Sequence, residues 1–170
     1  MKRPYAVTHI LVPILLVAIF RDFYLKKEER AHFPLHYVLI AGLGGVLPDI
    51  DIPISFILKY MGIQNWNIHQ AFTHSLALPF AFFVLFLIFS IFGSEAKVCN
   101  LTRHRLRLNI IFLMLGIGAL IHIALDASFP YFLVIFPTEI RNLIPPTLDG
   151  ILLVIWIIYL ELKHKISDFI

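Results

Sequence analysis

The sequence predicts an all-α, polytopic membrane helix bundle of about five transmembrane helices, on three observations. Of its 170 residues, 59% are hydrophobic and 15% charged, where a soluble domain carries about 25% charged residues. The mean hydropathy of +0.86 means more apolar surface than one core of this size can hide, so lipid is the second solvent. The charges lie between apolar runs rather than along them. The same composition excludes a disordered chain, a disulfide scaffold and a nucleic-acid-binding domain of the usual kind. Cys99 is the single cysteine, so no internal disulfide can form. No repeat or linker divides the chain, and residues 1–170 read as one integral-membrane domain.

The first span is Tyr5 to Phe20. Lys2 and Arg3 precede it as in a signal peptide, but no small-residue cleavage site follows and Arg21 and Asp22 end it, so it reads as a retained span. Leu35 to Leu47 is the second and weakest, because Gly42, Gly44 and Gly45 interrupt it and Pro48 stops it. It survives as a span if neighbouring helices pack closely on its glycine face. Leu76 to Phe92, Leu108 to Leu125 and Leu148 to Leu162 complete the set. Most are shorter than the roughly 20 residues that cross a bilayer and must borrow flanking residues. Phe129 to Phe136, between Pro130 and Pro137, is too short to cross, so a re-entrant or interfacial segment is expected near 129–137.

Five spans divide the polar residues between two faces. Side A receives Lys2, Arg3, Lys59 and Arg141; side B receives the other ten Lys and Arg. Side B, which includes the carboxyl tail, is therefore expected to be cytoplasmic by the positive-inside rule.

Seven residues that lipid should exclude lie within or beside the spans: His9, Asp49, Asp51, His69, His74, His122 and Asp126. His9 opens span one, Asp49 and Asp51 close span two, His69 and His74 precede span three, and His122 and Asp126 close span four, so all seven fall on side A. His122 and Asp126 are four apart and share a helix face. Pro48 and Pro53 confine the two aspartates between them to an extended or turn conformation at a helix end. His69 and His74, five apart, fit a loop and a helix start, where Thr73 or Ser75 could cap the third span. Taken singly each has a plain structural explanation: a core histidine, a helix terminator, a bond between helical turns, a solvated loop. Independent structural residues have no reason to share one membrane face, so jointly those explanations lose weight.

Four imidazoles and three carboxylates without cysteine suit a divalent metal, zinc first, with manganese or iron as alternates. One or two ions fit; three aspartates with two divalent ions and one hydroxide are neutral, which a low-dielectric setting favours. His32, His36, His104 and His164 lie among Lys and Arg on side B and read as solvated. Asp149 and Glu139 lack a nearby histidine, and Asp149 reads as a helix-start residue. The run Gly42-Leu43-Gly44-Gly45 lacks the spacing of a phosphate loop.

At Thr8-His9, Leu47-Pro48-Asp49-Ile50-Asp51, His69-Gln70-Ala71-Phe72-Thr73-His74-Ser75-Leu76 and His122-Ile123-Ala124-Leu125-Asp126, with Phe136-Pro137 beyond, the sequence resembles the YdjM-like family of inner-membrane-associated proteins. The resemblance implies a helical inner-membrane protein with a His and Asp metal site, described as a metal-dependent hydrolase by inference. It puts the same seven residues forward as ligands. The chain departs from the family's pattern at Ile52, where a histidine is usual, at Gln70, where an arginine is, and at Phe129 and Phe132, where threonine and glycine are. Any substrate-positioning role of those groups does not carry over. The order of donors is distantly similar to that of zinc-dependent phospholipases C, an analogy only.

The reading favoured by these residues is a metal-dependent hydrolase at the outer membrane face, with Asp51 or Asp126 accepting a proton from a metal-activated water and a lipid or lipid-linked phosphoester as substrate. A non-catalytic protein with a structural or regulatory metal is the first alternative. A metal transporter is the second, weakened because the side B halves of the spans offer little beyond Ser90 and Asn109. The expected partner is membrane lipid, and nothing in the sequence specifies an oligomeric state.

Overall fold

The computed structural model describes residues 6–62, 74–92, 95–96, 106–134 and 144–163. Within them the fold is helical: α1 (Ala6–Tyr24), α2 (Lys27–His32), α3 (Leu35–Val46), a 3-10 turn (Leu47–Ile50), α4 (Asp51–Tyr60), α5 (Ala77–Phe92), α6 (Leu108–Val134) and α7 (Ile144–Lys163). The exception is a pair of two-residue strands, β1 (Glu95–Ala96) and β2 (Leu106–Arg107), joined antiparallel before α6.

A helix stands at each of the five expected spans; among the described residues, two or three are long and apolar enough by themselves to cross a membrane. α1 and α6 are long and apolar enough; α3 with α4 makes a third only if the pair, bent by 41°, counts as one span. α5 and α7 are shorter apolar helices. The second segment ends at the expected place, α3 finishing at Val46 just before Pro48, and after one 3-10 turn a new helix, α4, begins; Pro53 is tolerated there because it falls in the first turn, where an N–H would lack an acceptor anyway. The expected re-entrant segment near 129–137 is not separate as far as it is described, for α6 runs unbroken through Pro130 to Val134. Residues 135–137 lie outside the described set.

The glycine-face packing expected of the second span is present. α3 lies against α1 and α6 so closely that a Cβ on Gly45 would collide with the carbonyl of His9, and one on Gly118 with the carbonyl of Ala41. Contact at backbone distance maximises dispersion where lipid gives no hydrophobic drive. The apolar core fills the same three-helix seam with Ile14, Val17 and Ala18 of α1, Tyr37, Val38 and Ala41 of α3, and Met114 of α6. The outer faces remain apolar and exposed, as at Phe23, Phe56, Phe80, Ile91, Val154 and Ile158, which in lipid is the solvated state.

The helices alternate in direction. His9, His74 and Asp149, in the opening turns of α1, just before α5 and early in α7, are at the same end as Asp49 and Asp126, past α3 and late in α6. At the other end Arg21 bonds the Phe33 carbonyl, Tyr159 bonds Asp22, and Asn109 bonds Ser90.

Candidate metal centre

Each donor of the cluster is delivered by a different local device. His9 sits one turn into α1, and Pro13, four residues on, has no N–H to return to its carbonyl, which leaves room for Gly45 to pass against it. Asp49 is held in the 3-10 turn Leu47–Ile50, directly after Pro48 within it. His74 precedes α5, where the Ser75 hydroxyl accepts the N–H of Ala77 at 3.3 Å, the helix-start role expected of it. His122 and Asp126 stand one turn apart on α6, with Nε2 and Oδ2 separated by 3.8 Å.

The side chains converge. His74 Nε2 is 3.2 Å from Asp49 Oδ1 and 3.8 Å from Asp126 Oδ2, His9 Nε2 is 3.3 Å from Asp126 Oδ1, and His122 Nε2 is 3.7 Å from Asp49 Oδ1. The rings of His9 and His122 stack with centroids 3.9 Å apart, and the ring of His74 meets that of His122 edge-on at 5.4 Å. Two groups have donor atoms all within 4.8 Å of one another: His9, Asp49 and His122, and His74, His122 and Asp126.

The protonation of His122 follows from its partner. Nδ1 lies 2.6 Å from the carbonyl of Gly45, and a carbonyl can only accept, so Nδ1 carries the hydrogen and the lone pair is on Nε2. That carbonyl is available because it lies in the last turn of α3, where helix carbonyls have no partner within their own helix. The lone pair on Nε2 is fully buried with no hydrogen-bond partner, as is Nδ1 of His9. Leaving a buried polar atom unpaired costs about 1–3 kcal/mol. A histidine that donates one nitrogen to a backbone carbonyl and aims the other into a cluster of carboxylates has the arrangement of a metal ligand.

The donor set fits a divalent cation. Three imidazoles and two carboxylates match nitrogen and oxygen preferences of zinc, manganese or iron, and two aspartates neutralise one such ion, so no net charge is left in the low-dielectric interior. The two groups share His122, which has a single available nitrogen, so they describe alternative ligand sets for one ion rather than sites for two. The cluster is closed on the histidine side and open on the carboxylate side: the His122 side chain is 0% exposed and His9 3%, while Asp49 is 26% exposed.

Of the seven residues expected to ligate, His9, Asp49, His74, His122 and Asp126 are brought together. Asp51 is the first residue of α4, two positions from Asp49, and its side chain is outside the described set. His69 is outside the described residues altogether, as are Glu139, His104 and His164. His32 is exposed as expected, but His36 is half-buried with a solvent-excluded Nδ1 instead of being solvated, because it faces inward on the first turn of α3. Asp149 also departs from expectation. It caps α1 rather than its own helix, accepting the backbone N–H of Thr8 at 3.0 Å and the Thr8 hydroxyl. The sequence signal for it was a lone acid inside an apolar helix. The Gly45 carbonyl, a backbone group, has no sequence signal of its own.

A family model for the YdjM inner membrane protein matches residues 5–168, nearly the whole chain. No curated protein and no solved structure matches.

Proposed function

Because the chain belongs to the YdjM inner membrane protein family, we propose that it acts in that membrane as a metal-dependent hydrolase on a lipid or lipid-linked phosphoester. The observation that carries this reading is the pair of stacked imidazoles with buried, unpartnered nitrogens beside two carboxylates. When bound, a divalent ion in such a set brings the pKa of its water ligand near neutrality and polarises a phosphoryl or carbonyl oxygen; zinc fits the donors best, with manganese and iron as alternates.

The protein's own groups divide the remaining work. His9, His74 and His122 hold neutral nitrogens toward the ion, and Asp49 supplies charge. Asp126, which faces all three histidines, accepts the proton, a role that Asp51 would take if Asp126 is held in ligation. Asp49, on the open side, is followed in the chain by exposed Ile50 and Ile52, apolar groups suited to acyl chains. If all five segments cross, ten of the fourteen Lys and Arg fall on the opposite face, which supports an extracytoplasmic centre and a cytoplasmic carboxyl terminus.

One observation favours a second reading. The histidines come from α1, α6 and the turn before α5, and their side chains are 9% exposed or less, as in a structural clamp. A transporter has less support: α1 between His9 and Arg21 and α6 between Asn109 and His122 contain no ionisable residue. The test is hydrolysis of phospholipids and p-nitrophenyl phosphoesters by the protein in lipid nanodiscs. Metal-dependent turnover that is abolished in Asp49→Asn supports hydrolysis; equal turnover in that variant, or after chelation, contradicts it.

A further inference from the structure

We propose that Asp149 is a positioning residue of the metal centre, acting from α7 on Thr8 and through Thr8 on His9. The inference rests on the metal reading above. Asp149 is buried, at 9% exposure, in a helix whose other described residues between 150 and 159 are apolar or glycine and mostly face outward. It is the sixth residue of α7, too far in to serve that helix's own start. Both of its bonds go to Thr8: Oδ1 takes the backbone N–H at 3.0 Å and the hydroxyl hydrogen.

Thr8 is the third residue of α1, where the N–H has no acceptor within its own helix. A carboxylate at that place also meets the positive end of the α1 dipole. The next residue is His9, stacked on His122 and 3.3 Å from Asp126. Neither candidate ligand group includes Asp149, so its effect on the centre runs through the backbone at Thr8. Two bonds from one rigid carboxylate fix both the rotation and the height of the first turn of α1, and with them the direction in which the His9 ring points. Without Asp149 the buried N–H and hydroxyl of Thr8 must find other partners, and the turn that carries His9 is the part free to move.

The full chain in lipid nanodiscs is titrated with Co²⁺, following the visible d–d absorption, for wild type, Asp149→Ala, Asp149→Asn and Thr8→Val. Loss of a group that orients a ligand weakens metal binding about 10–100-fold, so Asp149→Ala should weaken cobalt by that factor and alter the d–d band. Asp149→Asn keeps a side-chain oxygen able to accept both Thr8 bonds, and Asn and Asp serve about equally as helix caps, so it should restore wild-type affinity and spectrum. Thr8→Val, which keeps the N–H bond and loses the other, should fall between. Asp149→Ala binding as tightly as wild type with an unchanged band overturns the inference. So does Asp149→Asn weakening binding as much as Asp149→Ala, which would make the carboxylate itself a ligand. If Asp149→Ala does not fold, Asp149→Asn and Thr8→Val decide on the same criteria. Wild type that binds no cobalt removes the metal reading itself, and the inference with it.

Discussion

Near its C-terminal end α1 carries Arg21 and Asp22, whose polar atoms find partners within the protein: Arg21 bonds the Phe33 carbonyl at 2.9 Å and Asp22 at 2.8 Å, and Tyr159 donates to Asp22. Near its start, about 20 Å away at 1.5 Å per residue, the same helix carries His9, one of whose ring nitrogens is buried with no partner, facing a His122 in the same condition. Both ends tie α1 to α7 through an aspartate, and both pay a desolvation cost. What sets the His9 end apart is that its buried ring nitrogens face two carboxylates. Arg30, at the far end, also has a buried nitrogen without a partner, but it is a donor and cannot call for a cation. Buried polarity alone therefore does not mark the functional end; buried acceptors converging on carboxylates do.

That contrast can be broken at several levels. Asp49→Asn leaves the cluster's shape intact while removing the most exposed carboxylate, so turnover should fall by several orders of magnitude with folding unchanged; a helical, monodisperse and fully active variant would break the contrast outright. Gly118→Ala should act on the frame that holds both ends. Its Cβ would strike the Ala41 carbonyl and Gly45, backbone that cannot step aside, so the loss should be about 3 kcal/mol or more, beyond ordinary overpacking. Gly116→Ala, whose Cβ would find the Phe82 and Phe83 side chains as its nearest neighbours, at 3.0 Å or more, should cost less, and unfolding in detergent and denaturant compares the two. Tyr159→Phe removes the bond to Asp22 at the self-satisfied end; about 1–3 kcal/mol of stability should be lost while metal content stays at the wild-type level. The smallest effect belongs to Gly150→Ala. Nothing lies within 4 Å of its added methyl, and helix propensity should return up to about 1 kcal/mol; a large loss would show that the space beside Asp149 is occupied.

Much of the arrangement is legible in the residue order. Hydropathy places a helix at each of the five segments, and counting spans puts His9, Asp49, His74, His122 and Asp126 at one end, where they are found together. What escaped depends on contacts between segments. Pro48 reads as a stop, and α3 does end at Val46; what the residue order does not announce is the helix that follows, where Pro53 in the first turn forfeits no bond. Pro130 reads as a break, yet α6 continues through it. Apolar length alone marks α1 and α6 as crossings, while α5 and α7 carry shorter apolar stretches among the described residues. Asp149 read as the start of its own helix because sequence proximity is the only guide to capping; its partner is 141 residues away. The preference for two ions came from counting carboxylates, and the tautomer of His122, set by a backbone carbonyl, argues for one on the described side chains.

The most direct test of the centre is element-resolved metal content of the purified protein, wild type against His122→Ala, with Tyr159→Phe as the control at the other end. Wild type and Tyr159→Phe should each hold close to one divalent ion per chain, and His122→Ala should hold none. Well-folded wild type free of metal, or an ion retained in full by His122→Ala, would contradict the assignment of this cluster as a metal site.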